Sequence, residues 1–458
     1  MPTSLTNVAK TKTMNKYLKP GFQSPILDPV SQSSVINPQS STLRIAFASF
    51  IGTAIEFYDF YVYGLAVAMV IGPVFFPDSN PAAQGLNAFL TFGIAFVARP
   101  IGALLFGHFG DKIGRKTTLA ISLLVMGTST TLIGVLPGYS LIGWPAPALL
   151  CLLRFGQGIG LGGEWGGAAL LASEYAPKGR RGWFGMFPQL GPPIGFLLAV
   201  GSFLLLSQLL SDAQFRAWGW RIPFLASSIL VIIGLYVRLK LAETPVFAKA
   251  LQSHNTASLP VAELFTHHLR PLLLGALLMV VCYALFYIST VFCLSYGTGK
   301  LGINRLQFLE MLCVAVLFMA AATPLSAKAC DRYGRRPVLI AAGILALLSG
   351  FLLEPMLSSG SILQITGFLC IELFLMGATF APMGALLPEL FPTAVRYTGA
   401  GAAYNLGGII GASLAPYIAQ QLVLHGGLSW VGGYISVAAA ISLAAAIFIR
   451  ETRDEDLA

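Results

Sequence analysis

The chain has 458 residues, 56% of them hydrophobic and only 10% charged, with a formal net charge of +9. A soluble domain carries roughly 25% charged residues, which argues against two or three water-soluble domains. The basic excess does not point to nucleic acid, because Lys and Arg sit in short clusters between long apolar runs, as on the cytoplasmic side of a membrane protein.

Residues 1–41 are rich in Ser, Thr, Asn, Gln and Pro, carry four lysines and lack the apolar core of a signal peptide. They are expected to form a disordered cytoplasmic tail. About 20 apolar residues span a bilayer, and twelve such runs follow, at 44–71, 86–108, 117–136, 147–171, 183–208, 222–241, 270–295, 307–328, 337–356, 361–387, 398–422 and 428–449. The expected fold is all-α and integral to the membrane. A six-helix bundle over 42–241 and a second over 270–449 are joined by a cytoplasmic loop at 242–269. A cytoplasmic tail, 450–458, closes the chain.

Two charged hairpins divide it. GHFGDKIGRKTTL at 107–119 lies between the second and third runs, and DRYGRR at 331–336 lies between the eighth and ninth. Asp111 and Asp331, Gly114 and Gly334, Arg115 and Arg335, and Lys116 and Arg336 all share an offset of 220. Glu174, Pro177 and Arg181 recur as Glu389, Pro392 and Arg396. A long repeat of this kind sets the architecture: two related halves, each with a hairpin at the same point. Asp111, Arg115, Lys116, Asp331, Arg335 and Arg336 are therefore read as gating residues. Each aspartate can pair with its own arginine, or cap a neighbouring helix N-terminus in one state.

With the N-terminus inside, 22 of the 28 Lys and Arg residues fall on the cytoplasmic side. Arg216, Arg221, Lys300 and Arg305 fall opposite, and Arg99 and Arg154 lie within runs. That asymmetry places both termini in the cytoplasm. The six cysteines show no CxxC spacing, the histidines no metal-ligand spacing, and no nucleotide-binding P-loop is present. No cofactor or metal is expected.

An ionisable side chain inside a membrane span is costly and is a functional candidate by default. Glu56, Asp59, Arg99, Arg154, Glu164 and Glu372 qualify. Counting helical rise, Asp59 lies roughly 22 Å above the inner surface and Arg99 about 18 Å, a similar depth in adjacent helices. Asp59 is read as the proton site, with Glu56, Glu164 and Glu372 as further acids on the proton route. Arg99 is read as the partner of a substrate carboxylate, freed when Asp59 takes a proton. The competing reading is a permanent Asp59–Arg99 pair that lets both sit in a dry core. For Arg154, a link to the proton route and outward snorkelling stand side by side. Tyr58 and Tyr63 can line a cavity or simply pack. Arg154, Gln157, Tyr58 and Tyr63 are grouped with Arg99 as substrate-binding candidates.

Taken together, the 107–119 hairpin and Arg154-x-x-Gln157-Gly158-x-Gly160 resemble signatures of the major facilitator superfamily. Four stretches resemble its metabolite:proton symporter family: Glu56-Phe57-Tyr58-Asp59-Phe60-Tyr61-Val62-Tyr63-Gly64, Arg99-Pro100-Ile101-Gly102, Gly162-Gly163-Glu164-Trp165-Gly166-Gly167 and Glu243-Thr244-Pro245-x-Phe247. Ser173–Gly195 looks most like the shikimate-permease side. The resemblance implies a multi-pass protein of a bacterial-type inner membrane, a monomer in the bilayer and not an enzyme. It also implies proton-coupled uptake of a small carboxylate-bearing metabolite by alternating access. Uptake of a zwitterion such as proline or betaine, and proton-driven export of an organic acid, are the alternatives. The α-ketoglutarate carriers are expected to have a second arginine in the fifth helix, and 183–208 has none.

Overall fold

A lipid-facing backbone must satisfy its own polar groups, and apolar runs of this length do so as helices. The computed structural model describes residues 38–113, 115–239 and 260–455. Nearly all are helical, with no strand among the described residues.

Twelve crossings follow in order. α1 is Pro38–Ala66, prolonged by a π turn to Phe75, and α2 is Pro81–Ile113. α3 is Arg115–Val135, and α4 is Pro145–Gly162 continued by Trp165–Glu174. α5 joins Arg181–Gln189 to Gly191–Leu209, and α6 is Ile222–Leu239. α7 runs Leu269–Tyr287 and on through a π turn to Gly299, and α8 is Arg305–Tyr333. α9 starts as Arg335–Ser349 and α10 joins Ile362–Phe380 to Met383–Glu389. α11 begins as Arg396–Gly408 and continues to Gly426, and α12 is Leu428–Phe448.

Eleven of these crossings are long and apolar enough to span a membrane on that basis alone. The twelfth, α4, is diluted by Arg154, Gln157 and its glycines, and its helix breaks at Gly163–Glu164. Most of the expected 1–41 tail and residues 242–259 of the expected loop lie outside the described residues. The rest of that loop holds a short helix, Pro260–His267.

The packing repeats with an offset of six helices. α2 packs on α4 as α8 packs on α10, and α3 on α6 as α9 on α12. Between the halves, α5 packs on α8 as α11 packs on α2. The fold is therefore two pseudo-symmetric six-helix bundles, as the repeat implied.

The α2–α4 crossing is close enough to require glycine. A Cβ on Gly162 would stand 2.0 Å from the carbonyl oxygen of Arg99, and one on Gly102 would stand 2.0 Å from that of Ile159. Neither neighbour is a flexible side-chain tip, so the backbones would have to part. Small residues at such spacing are what lets membrane helices touch. Gly162→Ala is expected to destabilise the fold by about 1–3 kcal/mol and to shift Arg99. Thermal unfolding of the purified protein checks this; an unchanged melting temperature would show that the crossing can relax.

Candidate functional site

Arg99 sits in the middle of α2 at 0% exposure. None of its three guanidinium nitrogens has a hydrogen-bond partner, and the Tyr404 hydroxyl faces it. The guanidinium carbon instead lies 5.2 Å from the ring of Phe60 on α1, 5.1 Å from Phe96 on α2 and 5.4 Å from Tyr404 on α11. Such contacts give a desolvated cation about 2 kcal/mol or more, less than the cost of leaving its donors unused. Tyr404 belongs to the C-terminal bundle, so Arg99 sits where the halves meet.

Beside it is a cavity of about 10 Å³, lined from both halves by Tyr61, Tyr283, Phe286, Tyr287 and Tyr404 among others. That is about the space of one water. No charged side chain lines it. The chamber is collapsed, and contacts between the halves lie on either side of it.

At the end carrying the 331–336 hairpin, Asn405 Nδ2 donates to the carbonyl of Gly162 at 3.2 Å, and Gln189 Nε2 to that of Phe380 at 2.8 Å. Trp165 Nε1 donates to Gln189 Oε1 at 3.0 Å. The Trp165 ring stacks on Tyr404 with 4.1 Å between centroids and 7° between planes. At the opposite end, Arg305 at the start of α8 binds Asp212 at 2.6 Å and Ser207 at 3.2 Å, over the ring of Phe215.

The other candidates lie away from the chamber. Arg154 is also fully buried, but its donors are used. Nη1 donates to Gln157 Oε1, Nη2 to the carbonyl of Phe92 at 3.1 Å and Nε to that of Thr91 at 3.5 Å. Its guanidinium carbon lies 3.8 Å from the Tyr63 ring centroid. Gln157 Nε2 in turn binds Thr130 Oγ1 at 2.9 Å and the carbonyl of Asp59 at 3.0 Å. Tyr63 shares a hydrogen bond with Thr91, and Tyr58 donates to the carbonyl of Pro223. These four residues tie α1, α2, α3, α4 and α6 into one bundle.

Asp59 points into that bundle. It is fully buried, neither carboxyl oxygen has a hydrogen-bond partner, and the hydroxyls of Ser227 on α6 and Thr130 on α3 face it. Asp59 and Arg99, expected at one depth, do not pair. Rise along a helix fixes depth, but not the side of the helix on which a neighbour stands. Glu164, at the break in α4, accepts from Ser122 Oγ at 3.2 Å. Glu56 is buried three residues before Asp59 on α1. Glu372 is buried in the C-terminal bundle, with no hydrogen bond to either oxygen and Ser349 facing it.

The second hairpin bridges the halves. Asp331 caps the N-terminus of α5, accepting from the backbone N–H of Gly182 at 2.8 Å and Trp183 at 2.9 Å. Arg335 holds Glu389 through two bonds, at 3.0 and 3.2 Å, and reaches Asp331 at 3.5 Å. Arg181 on α5 reaches Glu389 at 3.5 Å. Arg336 binds the carbonyls of Ala446 and Ile447 and so pins α12 within its own half. The side chains of Asp111, Arg115 and Lys116 lie outside the described residues.

Asp331→Ala removes one cross-half cap, worth about 1 kcal/mol. The open form at this end should rise about fivefold. Cys330, buried beside it, is expected to react faster with maleimide; an unchanged rate would remove Asp331 from the gate.

Sequence reasoning missed Glu389, Glu451 and the tyrosines of α7 and α11. Glu389 was signalled by the repeat of Glu174. Residues 450–455 of the expected 450–458 tail are held to the bundle. Glu451 accepts from the backbone N–H of Arg335, Arg336, Thr452 and Arg453 at 2.9 to 3.1 Å, capping α9. Partial burial raises its pKa, but these four donors more than offset that and hold it below the usual carboxylate value. A depressed pKa contributes stability above the unfolded pKa that is lost as pH falls through the folded one. Glu451→Gln should therefore lower the melting temperature at neutral pH, with the difference closing on acidification. A constant difference would deny the ionic cap.

With the geometry in view, two family models match. "Sugar (and other) transporter" matches residues 45–258 and "Major Facilitator Superfamily" matches 294–457. The inner membrane metabolite transport protein YhjE of Escherichia coli is 51% identical, over 92% of this chain and 97% of that protein. The chain belongs to the major facilitator superfamily. As a member it is a multi-helix membrane transporter. The shikimate transporter of Escherichia coli is 37% identical to it, over 90% of this chain and 96% of that one. The proline/betaine transporter of Salmonella typhimurium is 34% identical, over 94% and 88%. In structure this transporter is similar to the proton:xylose symporter XylE, with a TM-score of 0.71 over 92% of this chain and 98% of that one. At 18% identity that likeness speaks for the fold alone.

Proposed function

We propose that this transporter takes up a small carboxylate-bearing metabolite together with protons, by alternating access. The observation that carries the proposal is Arg99, a fully buried guanidinium with three unbonded nitrogens at the junction of the halves. An anion that reaches it gains charge-assisted hydrogen bonds, bidentate if the anion is a carboxylate. Arg154 already has its partners, so among the described residues of the site Arg99 is the cation left free.

Asp59 is the proposed proton site. An ionised carboxylate without a donor is costly in a dry core, and a proton removes that cost. Because Asp59 does not face Arg99, the coupling runs through α1. That helix carries Asp59 on one face and Phe60 and Tyr61, against Arg99 and the chamber, on others. Gln157 grips the backbone of α1 at Asp59. Glu164, Glu56 and Glu372 extend the proposed proton route.

The Lys and Arg asymmetry supports cytoplasmic termini, which makes the hairpin end cytoplasmic, and the relative named for the inner membrane supports that location. The reading needs no cofactor, metal or nucleic acid, and one chain in the bilayer suffices. A second reading, uptake of a zwitterion, draws on the aromatic chamber, whose rings could meet a quaternary ammonium.

Proteoliposomes with an imposed pH gradient test both. Shikimate, citrate, α-ketoglutarate, benzoate-like acids, proline and betaine would be offered in turn. Accumulation of an acid that a protonophore abolishes is expected. Accumulation indifferent to the protonophore would sink proton coupling, and accumulation of betaine but of no acid would favour the second reading.

A further inference from the structure

A second cavity, of about 580 Å³, opens at the hairpin end, away from the Arg99 chamber. It lies between the start of α5, the start of α7, the α10–α11 turn and the segment after α12. Arg181, Arg270, Arg396 and Arg450 line it, with His268 beside them. Two acids face these cations, and both are engaged. Glu389 is held by both arms of Arg335, by Thr452 and by Arg181 at 3.5 Å, and Glu455 pairs with Arg450 at 3.3 Å and accepts from Arg181 at its backbone carbonyl at 2.6 Å. Arg270 is exposed and has no ion pair among the described residues. The cavity therefore keeps a net positive charge.

Its remaining wall is apolar, and Phe448, at the end of α12, is 68% exposed. A pocket with arginines on one side and an apolar lip where the last helix leaves the membrane suits an oxyanion that carries an apolar tail. Arginine forks match phosphate oxygens. We propose that this cavity binds a phosphate-bearing anion, whether a phospholipid headgroup or a free phosphate. Occupation holds the bundles together at this end, because Arg181 belongs to the N-terminal bundle and Arg270 and Arg450 follow the C-terminal one.

The test titrates the purified full chain with phosphatidylglycerol, with phosphatidylcholine of the same tails, and with inorganic phosphate. Melting temperature and maleimide labelling of Cys330 are followed. Phosphatidylglycerol is expected to raise the melting temperature and slow the labelling, while phosphatidylcholine does neither. In the double variant Arg270→Gln/Arg450→Gln the apparent affinity should fall about fivefold per arginine. Arg332→Gln, at the same end but outside the cavity, should respond as wild type. The same protection by inorganic phosphate alone, lost in the double variant, would also support the site and assign it to a soluble anion. Absence of protection by either anion would overturn the proposal. So would protection that survives in the double variant, or is equally lost in Arg332→Gln.

Discussion

Asp59→Asn should abolish accumulation driven by a pH gradient while leaving exchange of cargo across the membrane. Asparagine keeps the shape of a protonated aspartate but neither takes up nor releases a proton. The wild-type carboxyl lies at 0% exposure without a hydrogen bond to either oxygen, so its charge state has large consequences for α1. With one proton per singly charged anion the pair crosses uncharged, and wild type can concentrate the cargo about tenfold per pH unit; the variant should stop at equal concentrations. Counterflow in the same vesicles reads the surviving exchange. Normal accumulation by the variant would exclude Asp59 as the coupling site. Loss of both activities in a well-folded protein would place it in transport itself rather than in coupling.

Arg99→Met should remove binding of acids with little loss of fold stability. Truncating one partner of a buried, hydrogen-bonded charge pair costs about 2–5 kcal/mol, or roughly 30-fold to several thousandfold in affinity. The stability side separates function from structure. A guanidinium that held the fold together would be bonded to it, and removal would cost several kcal/mol. Here the three nitrogens hold nothing, and an apolar chain of similar length can occupy the same aromatic surroundings. The melting temperature is therefore expected to stay level or rise while acid uptake disappears. Arg99→Lys should also lose most binding, since an ammonium lacks the planar fork. Unchanged affinity in Arg99→Met would take this residue out of the site.

Much of this arrangement was legible before any coordinates. The rarity of charge within apolar runs singled out Arg99, Asp59, Glu164 and Glu372. The 220-residue offset singled out Asp331 and Arg335, which cap α5 and hold Glu389. That Asp59 and Arg99 do not pair was not legible, because depth along a helix says nothing of which neighbour a side chain meets. Arg154 and Arg99 look alike in the sequence. Only packing shows that Gln157 and two backbone carbonyls satisfy one, while aromatic rings surround the other and the Tyr404 hydroxyl faces it. Tyr283, Tyr287 and Tyr404 line the chamber without any signal that separates them from packing aromatics.

The stack of Trp165 on Tyr404 joins α4 of one bundle to α11 of the other through two nearly parallel rings. An indole so confined, donating its N–H to Gln189, has a distinct emission. Parting the bundles at that end would strip away the tyrosine and admit water, changing both intensity and wavelength. The unlabelled protein thus contains its own optical reporter of opening, readable by stopped flow once the remaining tryptophans are replaced by phenylalanine.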